Sequence, residues 1–207
     1  MLRLLGKAES INVAKVMWAC AEMGLEVERE NWGAGFKPTA DDAFRKLNPN
    51  AMVPVLIDDG FVLWESNTIL RYLANSRKCA DLYPVDAQAR AMVDQWLDWQ
   101  ASDLNSAWRY VFSAKVRKFA EFSDPAEIAK SEAAWIRCMT VLNGQLAHTG
   151  GYVAGPDFKL ADIPIGLSVL RWTHCDFEKP DLPLVAAYFE RLRLRPAFVT
   201  HGIETMR

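Results

Sequence analysis

Residues 48 to 66 read NPNAMVPVLIDDGFVLWES. The stretch holds two short apolar runs, 53 to 57 and 61 to 64, separated by an acidic turn that ends on Gly60, and this spacing predicts an antiparallel hairpin. Its first run opens on Val53-Pro54, where proline has no N–H to give to a strand ladder. Proline is tolerated at the first position of an edge or bent strand. An ordinary trans bond is favoured by base rates, whereas a cis bond before Pro54 would turn the backbone N–H and C=O of Val53 outward, free for a ligand. Two helix starts, at Ser10 and at Glu65-Ser66, tip the balance toward a ligand. Each presents unpaired N–H groups and a partial positive charge suited to a carboxylate or thiolate. Free extended backbone flanked by two anion sites fits a small peptide with a carboxylate at one end and an ionisable group near the other.

Working outward, residues 2 to 75 alternate short apolar runs with helical patterns: LRLL, a helix over 10 to 23, EVERE, a helix over 40 to 47, the hairpin, and a helix over 66 to 75. That order is the grammar of a small α/β domain. The first helix is the clearest, because Val13, Val16, Met17 and Cys20 recur on one face, with Ser10 as N-cap and Gly24 as stop. After residue 85 only helical patterns remain, over about 86 to 115, 125 to 147, 161 to 173, 183 to 193 and a short one after Pro196. The predicted organisation is an α/β domain over 1 to 78, a linker over 79 to 85 and an all-α domain over 86 to 207.

Composition excludes several classes of function. A net charge of -2 with scattered basic residues leaves no electrostatic footprint for nucleic acid. The apolar start before Gly6 is too short for a signal-peptide core, and no apolar run approaches about 18 residues, so no membrane partner and a cytoplasmic location are expected. Cys20, Cys79, Cys138 and Cys175 form no C-x-x-C pair, and the expected state is small buried or partly buried thiols. His148, His174 and His201 have no metal-ligand spacing and are read as structural or surface residues. No metal is expected.

Five segments together carry a family resemblance over essentially the whole chain. VPVL resembles the cis-proline loop of the cytosolic glutathione transferases, WESNTILRYL their (D/E)-S-x-x-I-x-x-Y-L motif, and SINVAKVMW the start of their catalytic helix. FKLADIPIG resembles their S-x-x-D-I segment, and DLPLVAAYFERLRLRPAF their closing helices. The sequence is similar to bacterial members with a serine-type, theta-like active site. The resemblance implies a thioredoxin-like N-terminal domain that binds glutathione as co-substrate and an all-α C-terminal domain that carries the pocket for a small electrophile. It also implies a homodimer.

Residue by residue, the resemblance gives Val53, before cis-Pro54 and beside Met52, a backbone contact to the cysteinyl unit. Ser66 and its N–H would take the γ-glutamyl carboxylate while Glu65 balances the ammonium, and Lys37 would meet the glycine carboxylate. Ser10 is the expected donor to the sulfur, with Asn12 as the other candidate, since LLGKAESIN offers neither Tyr nor Cys. Ser10 also has the ordinary reading of a plain N-cap. Cys20 lies deep in the helix and is expected to be core rather than nucleophile. In WLDWQASDLNSAWRYVF, Trp96 and Trp99 read as packing, and Trp108, Arg109 and Phe112 are the expected contacts to the second substrate. Two other readings use the same site: a non-catalytic ligand- or protein-binding module, and a glutathione-dependent reductase or isomerase. One departure stands out, Lys159 in place of the capping Ser or Thr of the S-x-x-D segment, which removes a reciprocal cap contributing about 0.5 to 2 kcal/mol.

Overall fold

A computed structural model describes residues 1 to 202 of the 207-residue chain. The described residues form two compact units, Met1–Pro84 with residues 195 to 202, and Val85–Leu194.

The first unit is built on strands β1 (Leu2–Leu5), β2 (Glu28–Glu30), β3 (Val55–Asp58) and β4 (Phe61–Trp64). They form a four-stranded sheet in the order β2-β1-β3-β4. β1 and β2 are parallel, while β3 is antiparallel to both β1 and β4. The ladder begins with Val55 opposite Leu5 and Trp64. Pro54 therefore lies just before the strand, which starts at Val55, two residues later than the sequence placed it, and its missing N–H is not required by the ladder. Helices α1 (Ile11–Glu22), α2 (Asp42–Arg45) and α3 (Ser66–Ser76) complete the βαβ-α-ββα order. The predicted helix over 40 to 47 shrinks to a single turn, which delivers Phe44 into a cluster with Leu5 and Val55. Tyr72 and Arg77 hold α3 to the hairpin by bonding the buried Asp58 carboxylate at 2.9 and 2.8 Å.

Gly6 positions the start of α1. It has φ +153°, and a β-carbon there would fall 2.3 Å from Val13 Cγ2 and 3.1 Å from Val53 Cβ. The end of β1 can pass so close to α1 and to the Val53 loop because this residue has no side chain.

The last described helix lies outside the second unit, which runs from Val85 to Leu194. Helix α9 (Pro196–Gly202) belongs with the first unit: Phe198 stacks on Trp18 of α1 with ring centroids 4.9 Å apart. Arg195 grips Glu22 by two hydrogen bonds of 2.7 and 2.6 Å. The physical reason is that α1 exposes an aromatic and an acidic group at its C-terminal half, and both find partners far along the chain.

The second unit comprises α4 (Ala87–Trp99), α5 (Asn105–Lys115), α6 (Pro125–Thr149), α7 (Asp162–His174) and α8 (Pro183–Arg193). The helix expected over 86 to 115 is interrupted by a π-helical segment, Gln100–Leu104, between α4 and α5. A widened turn of this kind re-aims the side chains that follow it, and here Gln100 is fully buried with its amide on Ser168 Oγ at 3.3 Å. α7 is the central element, with eleven of its thirteen residues buried. Asp162 does reach back to a backbone N–H, bonding Lys159 N at 2.8 Å. Its other oxygen accepts from Val153 N at 3.0 Å and the Tyr188 hydroxyl at 2.9 Å, so the cap missing at Lys159 is offset by partners the sequence did not indicate.

Candidate functional site

The polar side chains of the first unit gather where α1 and α3 begin. Ser10 is the N-cap residue of α1, with extended backbone (φ -76°, ψ 119°), yet its side chain makes no cap hydrogen bond. Serine is favoured at this position for the bond it gives to the first turn. Here the hydroxyl and the N–H groups it would have satisfied both stay available.

Two residues on, Asn12 accepts from the Ser66 hydroxyl at 3.3 Å. Ser66 opens α3, and its oxygen also accepts from Lys15 Nζ at 3.4 Å. The same ammonium reaches Asn67 Oδ1 at 3.3 Å. Lys15 is 4% exposed, so a charged group lies in the interior between the first turns of the two helices. The sequence reading missed it. Its signal was present, because Lys15 follows Ile11 by four residues and precedes Trp18 by three, on the face that α1 buries.

Glu65 precedes α3 with φ 73° and ψ 107°, and it too makes no side-chain cap bond. A non-glycine residue in this region stores about 1 to 3 kcal/mol and persists where the surroundings enforce it. It leaves the N–H groups of the first turn of α3 uncapped by side chains and the Glu65 carboxylate exposed. The Val53-Pro54 bond is cis. Among the described residues, the Val53 N–H and C=O take no hydrogen-bond partner, while the neighbouring Met52 carbonyl is held by Asn48 Nδ2 at 2.7 Å. The Met52 side chain is exposed.

The structure therefore brings Asn12 and Ser66 into contact and sets Ser10 at the end of the same helix. Lys37 is engaged elsewhere, with its ammonium 3.5 Å from Glu30 Oε2 and 5.2 Å from the centroid of the Trp32 ring. Cys20 is 1% exposed, and burial pushes its thiol up to about 12, the state of a core residue. Burial likewise raises Cys138 and Cys175.

In the helical unit Trp108 and Phe112 pack edge to face with centroids 5.6 Å apart, and both are buried. Arg109 is exposed and does not join them. The polar group that does join them is Arg171 of α7, which sequence reading passed over. A hollow of about 470 Å³ in the same unit, lined by Ser102, Asp103, Ser106, Arg137 and Cys138 among others, contains none of the predicted site residues. Among the described residues, no group of three or more His, Cys, Asp or Glu side chains could hold a metal ion. No helix described is long and apolar enough to cross a membrane.

Comparison with known proteins agrees with this geometry. Residues 1–75 match the family model "Glutathione S-transferase, N-terminal domain". Glutathione S-transferase GstB of Escherichia coli K12 is 31% identical over 199 residues, covering 95% of this chain and 95% of the relative. Glutathione S-transferase theta-1 of Mus musculus is 37% identical over 128 residues, 59% of this chain and 52% of the relative. Among solved structures, the theta class glutathione S-transferase of Xanthomonas axonopodis pv. citri with glutathione bound superposes with a TM-score of 0.91 at 35% identity, over 98% of this chain and 97% of that one.

Proposed function

The chain belongs to the glutathione S-transferase family, and on that premise we propose that Ser10, Asn12, Val53 and Ser66 carry out its reaction at the starts of α1 and α3. The reaction joins the sulfur of glutathione to an electrophilic carbon of a small hydrophobic compound, with departure of a leaving group or opening of a strained bond. The thiolate is the attacking form. Free thiols have a pKa near 8.5, so only a few per cent is ionised at neutral pH. Lowering that value by about two units requires about 2.7 kcal/mol of preference for the anion.

The observation that carries the proposal is the uncommitted Ser10 hydroxyl at the end of α1. It donates to the sulfur, and the positive end of α1 adds its partial charge. Asn12, anchored through Oδ1 by Ser66, has its NH₂ to offer as a second donor. Val53 pairs its unpartnered backbone groups with the cysteinyl unit, beside Met52. The γ-glutamyl carboxylate takes the Ser66 N–H at the start of α3, where the buried Lys15 ammonium next to Ser66 adds favourable charge. Glu65 meets the ammonium of the same moiety. Lys37 takes the glycine carboxylate only by leaving Glu30.

Trp108, Arg109 and Phe112 belong to the electrophile's side in the helical domain. The family reading also carries a cytoplasmic homodimer, and sedimentation of the purified protein tests the dimer. The decisive test of the site is the ultraviolet thiolate absorbance of bound glutathione against pH, for wild type and Ser10→Ala together. A depressed thiol pKa that returns toward its free value in the variant is expected. An unshifted pKa in the wild type would leave a binding module without thiol activation.

A further inference from the structure

The helical unit contains a charge for which thiol activation has no use. Arg171 is 1% exposed. Its guanidinium carbon lies 4.5 Å from the Trp108 ring centroid and 4.6 Å from that of Phe112, and its Nε and Nη2 have no hydrogen-bond acceptor. Ring faces attract a desolvated guanidinium by about 2 kcal/mol each, but they leave its N–H groups unsatisfied, which is the expensive part of burying a cation. The two orphaned donors share one edge of the guanidinium plane, the edge that grips a carboxylate or sulfonate with two parallel bonds.

The surroundings repeat the same shortage of acceptors. The buried indole N–H groups of Trp108 and Trp135 also lack partners, and their rings are 6.3 Å apart. A second guanidinium, Arg117, lies 5.6 Å from the centroid of the same Phe112 ring and has no acidic partner among the described residues. The carboxylate of Glu132, on α6, is already committed to Lys115 at 2.5 Å. Burial first, and then the neighbouring Arg117, lowers the pKa of Arg171 to about 9, so it stays charged at neutral pH. Four buried donors, two of them on Arg171 and two on Trp108 and Trp135, thus lack acceptors in one aromatic cluster that a second cation, Arg117, also borders.

We propose that Arg171 and Arg117 form an anion subsite within the helical unit that takes the carboxylate or sulfonate of an aromatic electrophile. Arg117, the exposed member, meets the anion first and passes it inward to the Nε and Nη2 edge of Arg171, while Trp108 and Phe112 contact the apolar remainder. The glutathione-conjugation reading supplies only the electrophilic character of that ligand. The anion subsite stands without it.

The test titrates the intact protein, without glutathione, with 4-nitrobenzoate and with its neutral counterpart 4-nitrobenzamide by calorimetry. Wild type should bind the acid at least about tenfold more tightly than the amide, as charge-assisted bonds to two guanidinium groups require. That preference should fall severalfold in Arg117→Gln and vanish in Arg171→Met. If Arg171→Met fails to fold by circular dichroism, Arg117→Gln decides. Equal binding of acid and amide by wild type, or an undiminished preference in Arg117→Gln, overturns the proposal. Sodium sulfate titrated alone separates a free inorganic ion from a substrate group, and sulfate binding as tight as the benzoate's overturns the aromatic acid as occupant. With glutathione present, the ratio of kcat/KM for 4-chloro-3,5-dinitrobenzoate over 1-chloro-2,4-dinitrobenzene should fall about tenfold in Arg117→Gln. Absence of turnover with either compound overturns the conjugation reading and leaves the acid-over-amide preference to decide the subsite.

Discussion

Helices α4 and α6 begin differently from α1 and α3. Asp86 accepts from Ala89 N and Asp124 from Ala126 N, each at 2.9 Å, so these two helices of the second unit close their own first turns. Ser10 and Glu65, at the same positions of α1 and α3, make no such bond. A cap contributes about 1 kcal/mol, and α1 and α3 go without it at the starts where the proposed site lies, whereas α4 and α6 keep it. An uncapped start retains its N–H groups for an outside anion.

The largest effect should come from the most closed helix start of all. Asp162→Ala, at the start of α7, strips acceptors from two backbone N–H groups and the Tyr188 hydroxyl in a fully buried place. Urea unfolding should show a loss of about 4 kcal/mol. A loss under 1 kcal/mol would mean that this network contributes little and that closed starts are not structural.

Next comes Ser10→Ala, which should lower turnover about 100-fold, or about 2.7 kcal/mol, while glutathione affinity stays within a few fold. Its unfolding free energy should move by less than about 0.5 kcal/mol, since no cap bond is lost. A stability loss of 1 kcal/mol or more would place Ser10 with Asp86 and Asp124 and dissolve the contrast.

The opposite end of α1 gives a pH-dependent comparison. Burial alone would raise the Glu22 pKa, but the hydrogen bonds from Arg195 and Trp18 outweigh it and hold the carboxyl below the ordinary glutamate value. A lowered folded-state value means that the contribution is complete above the unfolded-state pKa and is lost as pH falls through the folded one. The stability difference between wild type and Glu22→Gln should be about 2 kcal/mol at pH 7 and shrink progressively below about pH 4.5. A difference independent of pH would show that the pair acts through packing alone.

The smallest effect is Asp124→Ala, about 1 kcal/mol of stability with unchanged kinetics. It is the control against which Ser10→Ala is read.

Much of this was legible because it is local. Pro125 after Asp124, with Gly150 at the far end, delimits α6 (Pro125–Thr149) in sequence as in structure. The hairpin, too, follows from its turn and its apolar runs. What escaped depends on distant partners. Nothing near Arg195 announces Glu22, 173 residues away, and so the contact of the last helix with α1 was not foreseen. The π segment inside the predicted long helix has no compositional mark, since QASDL reads as ordinary helix. Lys15 and Arg171 were overlooked for one reason: charged residues are expected at the surface, and each sits within an apolar periodicity that should have been followed through it. The roles expected of Ser10 and Ser66 came from a family pattern, whereas the hydrogen bond from Ser66 to Asn12 needed the fold.

Three buried or half-buried cysteines bear on how a protein of this kind survives its own trade. Compounds that alkylate thiolates meet here a chain whose Cys20 is held protonated up to about 12 and whose Cys138 and Cys175 are also shifted upward by burial. At neutral pH these side chains present almost no nucleophilic sulfur. At these three positions the protein offers the electrophile little sulfur to compete with that of glutathione, which leaves with the product.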